Sequence, residues 1–83
     1  MKIQVRYFAS LREALGTGEP VEAAEGSTVG QLRDALIARG APHAATLARG
    51  RAVRTALDQV LCDERAVLRD GAELAFFPPV TGG

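Results

Sequence analysis

The last eight residues of this chain, Phe-Phe-Pro-Pro-Val-Thr-Gly-Gly at positions 76–83, limit what the fold can be. The two aromatic residues favour a β-strand, whereas proline cannot donate the hydrogen bonds of a sheet interior. The strand must therefore end at Phe77, and the prolines hold the following segment extended. Glycine lacks a Cβ atom and passes where bulkier residues do not fit. The sequence thus predicts a folded domain of residues 1–77 that presents an extended diglycine tail, residues 78–83.

Size and composition exclude several functional classes. A chain of 83 residues forms one small domain. Ten basic residues balance ten acidic ones and the arginines form no run, so a nucleic-acid partner is not predicted. Cys62 and His43 are the only residues of their types, which argues against a disulfide, a metal site or a catalytic thiol. No apolar run has the length of a membrane span, and Met1 leads into a strand pattern instead of a signal peptide. We therefore expect a cytoplasmic protein with no membrane partner.

The first predicted element is a strand over residues 2–8, where apolar and polar side chains alternate. Ile3, Val5 and Tyr7 share the face expected to turn toward the core. Phe8 is the exception, because it is an aromatic residue on the otherwise polar face.

A short helix is predicted next, over residues 10–15. Ser10 and Glu13 have the spacing of a capping box, and a glycine follows where the helix would end. Residues 16–20 are then predicted as a turn, and residues 21–24 as a weak strand that pairs with the first.

The main helix is predicted over residues 28–39. Thr28 and Gln31 have the spacing of a second capping box. Arg33 is expected on the solvent side of this helix. The apolar stripe expected to cover a sheet consists of Val29, Leu32, Ala35 and Leu36.

The rest of the chain supplies three more strands. The predicted elements are a helical turn within 43–49, strands at 52–57, 60–62 and 72–77, a turn at 58–59 and a connection over 63–70. In the last strand Leu74 and Phe76 face the core. With strands at both ends of the chain and one main helix between, the pattern favours an α+β fold of the β-grasp (ubiquitin-like) type. That fold has a mixed five-stranded sheet packed on one main helix, with the first and last strands adjacent.

The predicted domain carries no catalytic set of its own. Its single His and single Cys lack partners at motif spacing, and its glycines match no nucleotide-binding pattern. The reactive group that remains is the terminal carboxylate of Gly83. A carboxylate resists nucleophilic attack until it is activated, for example as an acyl-adenylate. A partner enzyme is expected to activate it, after which the carboxyl accepts sulfur as a thiocarboxylate or an amine as an isopeptide.

Three apolar residues predict a docking surface beside the tail. Phe8 and Phe77 face outward on strands that are adjacent in this arrangement, and Leu61 of the brief fourth strand can join them. A cluster of exposed apolar side chains next to a functional segment is typical of a partner-binding surface. The alternative is that one or more of the three pack beneath the short helix or the 63–70 connection.

Several segments resemble the small subunit of molybdopterin synthase, a family of ubiquitin-like sulfur carriers. The resemblance covers nearly the whole chain in consistent order, and its most specific part is the closing Phe-Phe-Pro-Pro run. Asp58 departs from the family, which often has Asn there, but Asp serves a turn equally well. The residues that carry the resemblance are 7–9, 11–13, 16, 28–29, 32–33, 57–59, 70–71 and 76–83.

This resemblance implies a β-grasp fold and a sulfur-carrier role. A ubiquitin-activating-like adenylyltransferase, using ATP and magnesium, would adenylate Gly83, and sulfur relayed from a cysteine desulfurase would convert it to a thiocarboxylate. The sulfur would pass to a cyclic pyranopterin precursor in the large subunit and build the dithiolene of molybdopterin. The assembly would be a heterotetramer of two small and two large subunits, and this chain itself would bind no cofactor. The residues implied to insert into the large subunit are Pro78, Pro79, Val80, Thr81 and Gly82.

Three other functions remain open from the residues. The chain can be a sulfur carrier for thiamin or cysteine biosynthesis, although the Phe-Phe-Pro-Pro run favours the molybdopterin pathway. It can be a ubiquitin-like modifier that conjugates through Gly83 to lysines of target proteins. It can also be a plain binding module whose tail has no chemical role.

Overall fold

The computed structural model describes residues 1–79, and the segment 80–83 lies outside the described part of the chain. The described residues form five strands and three helices. In chain order they are β1 (Lys2–Tyr7), α1 (Ala9–Leu15), β2 (Gly18–Glu22), α2 (Val29–Ile37), α3 (His43–Leu47), β3 (Arg54–Leu57), β4 (Val60–Cys62) and β5 (Glu73–Phe77).

The five strands form one mixed sheet in the order β2-β1-β5-β3-β4. The first and last strands, β1 and β5, are adjacent and parallel at its centre, and the other three pairings are antiparallel. Because β1 and β5 run in the same direction, the tail leaves the domain at the end of the sheet where β1 also ends. The predicted β-grasp arrangement of the α+β class is confirmed.

One face of this sheet is buried under the three helices. The alternation predicted for β1 holds, since Ile3, Val5 and Tyr7 are buried, and Leu74 and Phe76 of β5 lie on the same face. The helices add Leu11, Val29, Leu32, Leu36 and Leu47 to this core, which also includes Val21, Leu68 and Ala72. Burial of this apolar surface is the main source of stability in a domain of this size.

Helix α2 begins as predicted. The Thr28 side chain accepts from the Gln31 N–H at 3.2 Å, and the Gln31 side chain accepts from the Thr28 N–H at 2.9 Å. This capping box satisfies two donors that the first turn would otherwise leave unpaired. The helix ends two residues earlier than predicted, at Ile37, and Gly40 follows with a φ of +86°.

The prediction for Arg33 was wrong, because this residue is only 4% exposed. Its guanidinium donates to the carbonyl oxygens of Leu47 and Ala48, both at 2.8 Å, and to the Glu64 carboxylate at 2.6 Å. Ala35, predicted on the apolar stripe, is exposed instead. The α3 end and the 63–65 loop pack against the flank of α2 that carries Arg33, so its charge is buried but fully paired.

The start of α1 also differs from the prediction. The helix begins at Ala9, immediately after β1, and its N-cap is Phe8, which provides no side-chain cap. The Phe8 carbonyl accepts from the N–H of Leu11 at 3.1 Å and of Arg12 at 3.4 Å. The predicted capping box of Ser10 and Glu13 is therefore not used.

Strand β2 starts three residues before the predicted strand and includes Pro20, which was predicted in a turn. The pairs Met1–Ala23 and Tyr7–Thr17 are hydrogen-bonded between β1 and the β2 segment. Alternation along the ladder therefore places Pro20, opposite Gln4, at a non-hydrogen-bonded position. A proline is compatible with this edge strand because its missing N–H would point away from the sheet.

Candidate docking face and tail

The face of the sheet opposite the helices carries the three residues predicted for docking. Phe77 lies in β5, directly opposite Arg54 of β3. Leu61 lies in β4 opposite Ala56, on the same side of the sheet. The Phe8 N–H donates to the Phe76 carbonyl at 3.1 Å, which holds Phe8 beside the end of β5. The fold thus brings all three predicted residues to one open face.

Two alanines form the centre of this face. Ala75 of β5 and Ala56 of β3 are directly opposite each other, and each is only 8% exposed. Because these side chains are small, they form a shallow apolar depression, the alanine floor, between the larger residues that surround them. Leu61 is 70% exposed and Phe8 is 39% exposed at the margins of this floor, whereas Phe77 is half-buried. We call these five residues the docking face.

Polar residues border the docking face. The Arg6 guanidinium lies 5.9 Å from the centre of the Phe8 ring, a cation–π distance, and 3.6 Å from the Glu73 carboxylate. The sequence pattern alone does not identify Arg6, Ala56 and Ala75 as members or neighbours of the face. The signal that identifies them is the strand register, because only the pairing of β1, β5 and β3 shows which residues lie side by side.

The base of the tail is fixed on the other side of the sheet. Phe76 is fully buried and stacks on Tyr7, whose hydroxyl donates to the Glu19 carboxylate at 2.8 Å. His43 Nε2 lies 2.9 Å from the same carboxylate, and Arg39 also pairs with it. These contacts fix the backbone from which the tail starts.

The Glu19 cluster has displaced pKa values. Burial disfavours ionisation of Glu19, but the hydrogen bonds from Arg39, His43 and Tyr7 outweigh it and lower the pKa to about 2. Burial, together with the hydrogen bond to the Glu19 carboxylate, raises the pKa of Tyr7. The cluster therefore consists of an ionised carboxylate and a neutral phenol throughout the physiological range.

Only the first part of the predicted tail is described. Pro78 and Pro79 follow β5 and are half-buried. The other predicted tail residues, Val80, Thr81 and Gly82, and the predicted reactive residue Gly83 lie outside the described residues.

Further features of residues 1–79 include a lone cysteine and a small cavity. No group of three or more His, Cys, Asp or Glu in this part of the chain could hold a metal ion. Cys62 is half-buried, with its Sγ 3.6 Å from Thr55 Oγ1. None of the helices described is long and apolar enough to cross a membrane. A cavity of about 220 Å³ lies by the β3–β4 turn, at the end of the sheet away from the tail, and it is below the usual size of a ligand pocket.

Comparisons with known proteins agree with this architecture. A sequence profile of the ThiS family matches residues 5–83. The chain is 42% identical to the molybdopterin synthase sulfur carrier subunit of Escherichia coli (strain K12), over 98% of this chain and 99% of that protein. The crystal structure of SAMP1 from Haloferax volcanii superposes with a TM-score of 0.80 at 27% identity, with both chains fully covered. A complex of subunits 1 and 2 of molybdopterin-converting factor from Helicobacter pylori contains a chain with a TM-score of 0.70 at 25% identity, again with full coverage of both.

Proposed function

The chain belongs to the ThiS family, and we propose that it is the sulfur-carrier subunit of a molybdopterin synthase. The observation that carries the proposal is the E. coli relative of that name, which matches at 42% identity over 99% of its own length. The resemblance inferred from the closing run and the earlier segments is thereby confirmed at the level of the family.

The proposed chemistry takes place at the carboxylate of Gly83. One carboxylate oxygen attacks the α-phosphorus of ATP on an adenylyltransferase, pyrophosphate leaves, and an acyl-adenylate forms. A sulfur nucleophile then attacks the acyl carbon and displaces AMP, which gives the thiocarboxylate. ATP and magnesium belong to this activating partner, since magnesium is usually bound through substrate phosphates. This chain contributes the acyl group and binds no cofactor.

The second proposed partner is a large subunit, in a heterotetramer of two small and two large subunits. The H. pylori complex of subunits 1 and 2 supports such a partner. Residues 78–83 can span at most about 22 Å, at about 3.3 to 3.6 Å per extended residue. That length carries the thiocarboxylate from the surface of one protein into the interior of another. There the thiocarboxylate sulfur is transferred to the cyclic pyranopterin precursor to form the dithiolene.

The docking face has the composition of a partner-binding surface. Its apolar centre of Ala56, Ala75 and Phe77 is surrounded by charged groups such as Arg6 and Arg54. Interfaces between separate proteins have this arrangement of an apolar core and a polar rim. Because Phe77 belongs to this face and Pro78 follows it, a partner bound here would be placed next to the tail.

Intact-mass analysis tests the proposal. The full chain is incubated with the activating enzyme, ATP, magnesium and a sulfide source. We expect the mass gain that corresponds to exchange of one terminal oxygen for sulfur. A chain ending at Gly82 is the control and should not change. If the full chain forms no acyl-adenylate and no thiocarboxylate, the proposal is wrong.

A second candidate function is protein modification. This function is favoured by the similarity to SAMP1, the small archaeal modifier protein 1 of H. volcanii. The same activated Gly83 would then react with lysines of target proteins. Incubation of the chain with cell extract and ATP would produce covalent adducts of higher mass under this function. A pure sulfur carrier would produce none.

A further inference from the structure

The edge strand β4 directs one backbone N–H and one C=O out of the sheet. Among residues 1–79 this strand pairs only with β3, to which a two-residue turn connects it. A turn of this length makes its flanking residues, Leu57 and Val60, a hydrogen-bonded pair. The Thr55 hydroxyl donates to the Cys62 carbonyl at 3.0 Å, so that carbonyl also points toward β3. By alternation, the N–H and C=O of Leu61 point outward, where another strand can add.

The composition of β4 does not oppose such an addition. Its three residues are Val, Leu and Cys, with neither a proline nor a charged side chain, the residues that commonly keep other chains from an exposed edge. The strand is short, and Leu61 alone offers its backbone outward. A bound strand therefore needs further contacts beside this edge.

Apolar contacts are available on the helix side of the sheet. Val60 is 68% exposed there and is paired with Leu57, which lines the cavity of about 220 Å³ by the β3–β4 turn. Val67, which is 59% exposed, and Ala72 line the same cavity. A cavity of about 150 Å³ can hold a benzene ring, so this one has room for an apolar side chain. We call Val60 and the residues of this cavity the β4 groove.

The charge left to pair at the β4 groove is positive. Arg69 lines the cavity, is exposed, and takes part in none of the ion pairs among residues 1–79. The neighbouring carboxylates are already hydrogen-bonded, since Asp58 accepts from the Glu73 N–H at 3.0 Å and Asp70 accepts from the Lys2 N–H at 2.8 Å. A carboxylate of a ligand is therefore the group that complements Arg69.

We propose that the β4 groove binds an extended acidic segment of a partner protein, which joins the sheet as a sixth strand. The segment pairs with the N–H and C=O of Leu61, and its next side chain, an apolar one, lies against Val60 and the cavity. Because β4 runs away from the turn, an antiparallel segment reaches Arg69 with the carboxylate that follows. In strand addition of this kind, backbone bonds supply affinity and pockets for alternate side chains supply specificity. The inference does not depend on the reaction at Gly83.

A second copy of this chain fits the β4 groove less well. Twofold pairing of two β4 strands about Leu61 would place Cys62 of one copy opposite Val60 of the other. The Cys62 side chain is too short to enter the cavity. Two strands of three residues would also form only one hydrogen-bonded pair of residues, whereas specific interfaces bury about 1,200 Å² or more.

A peptide titration followed by NMR tests the site. The isotope-labelled full chain is mixed with the blocked hexapeptide Thr-Val-Thr-Leu-Asp-Thr, up to about 1 mM, where weak binding is measurable. We expect saturable shifts of the amides of Leu61, Val67 and Arg69, and slower hydrogen exchange of the Leu61 N–H. The inference is wrong if no amide shifts, or if the shifts lie at Ala75 on the docking face. It is also wrong if the Leu61 N–H becomes protected with rising protein concentration in the absence of peptide, since a second copy then occupies the edge.

Charge reversal tests the assigned partner group. Arg69→Glu should weaken binding of the hexapeptide about fivefold, and should strengthen binding of a version with Lys in place of Asp. Arg12→Glu is the matched control, because Arg12 is also exposed and outside the ion pairs of residues 1–79, and it should change neither affinity. Val60→Asp should lower both affinities about tenfold. Equal effects of the two arginine variants, or unchanged binding by Val60→Asp, would overturn the inference.

Discussion

The ring of Tyr7 stacks on the ring of Phe76, with centroids 6.1 Å apart and planes inclined by 21°. The two residues are direct partners in the parallel pair of strands β1 and β5. The Tyr7 hydroxyl in turn donates a hydrogen bond to Glu19 in the edge strand β2. Phe76, the last core residue before the tail, is therefore connected through Tyr7 to that edge of the sheet. The two neighbouring phenylalanines of β5 therefore have different environments, because Phe76 is anchored in the core and Phe77 lies on the docking face.

The first prediction concerns these two phenylalanines. Phe76→Ala should lower the free energy of unfolding by about 3–5 kcal/mol, because it opens a cavity beneath Tyr7. Phe77→Ala should cost about 1–2 kcal/mol, since Phe77 is only half-buried. Chemical denaturation of both variants measures the difference. Equal losses would show that Phe77 is a core residue, and the docking face would then need to be redrawn.

The second prediction uses the two faces of β4. Leu61 and Val60 are 70% and 68% exposed, but they point to opposite sides of the sheet. Leu61→Asp should weaken binding of the large subunit by about 2 kcal/mol or more, roughly 30-fold, because it places a charge in an apolar interface. Val60→Asp is the matched control and should leave the affinity nearly unchanged. Titration calorimetry with the large subunit makes the comparison, and similar affinities for both variants would contradict the assignment.

The third prediction concerns acid stability. The pKa of Glu19 is about 2, below its ordinary value of 4.5, so its ionised form stabilises the fold. That contribution is fully present above pH 4.5 and is lost as the pH falls toward 2. Glu19→Gln should therefore be less stable than the unaltered chain at pH 7, with the difference shrinking between those two values. Denaturation at a series of pH values tests this, with Glu22→Gln as an exposed control that should show little effect.

The fourth prediction concerns the reacting end. One alanine added after Gly83 should abolish thiocarboxylate formation, because the acyl carbon would no longer be the one held against the nucleotide. The melting temperature should stay the same, since the tail follows the last core strand. Removal of the extra residue with a carboxypeptidase should restore the reaction. Normal activity of the extended chain would mean that the position of the carboxyl group is not critical.

Much of the fold was predictable because its determinants are local. Alternation in β1, the capping box at Thr28 and the turn residues Asp58 and Gln59 each act within a few positions of the chain. The burial of Arg33 was not predictable in this way. Its partners Leu47 and Glu64 lie 14 and 31 residues further along the chain, and only the folded structure brings them to the helix.

The candidate site likewise contains some residues that local sequence identifies and others that only strand pairing identifies. Phe8 stood out because it is an aromatic residue on a face whose other residues are polar, and Leu61 was added because it lies in the predicted fourth strand. The alanine floor did not stand out, because Ala56 and Ala75 acquire their role from being opposite each other. The bounds of a short strand such as β2 similarly depend on its pairing with a neighbouring strand. For this reason Pro20 was predicted in a turn but lies in an edge strand.

That position of Pro20 also affects how the protein behaves at high concentration. An edge strand offers free N–H and C=O groups to which another chain can add, and fibres grow by this route. At Pro20 no N–H is available, and Glu19 and Glu22 of the same strand carry negative charge. The edge formed by β2 therefore resists added strands. The position of Pro20 in this way protects the protein, on one side of its sheet, against aggregation.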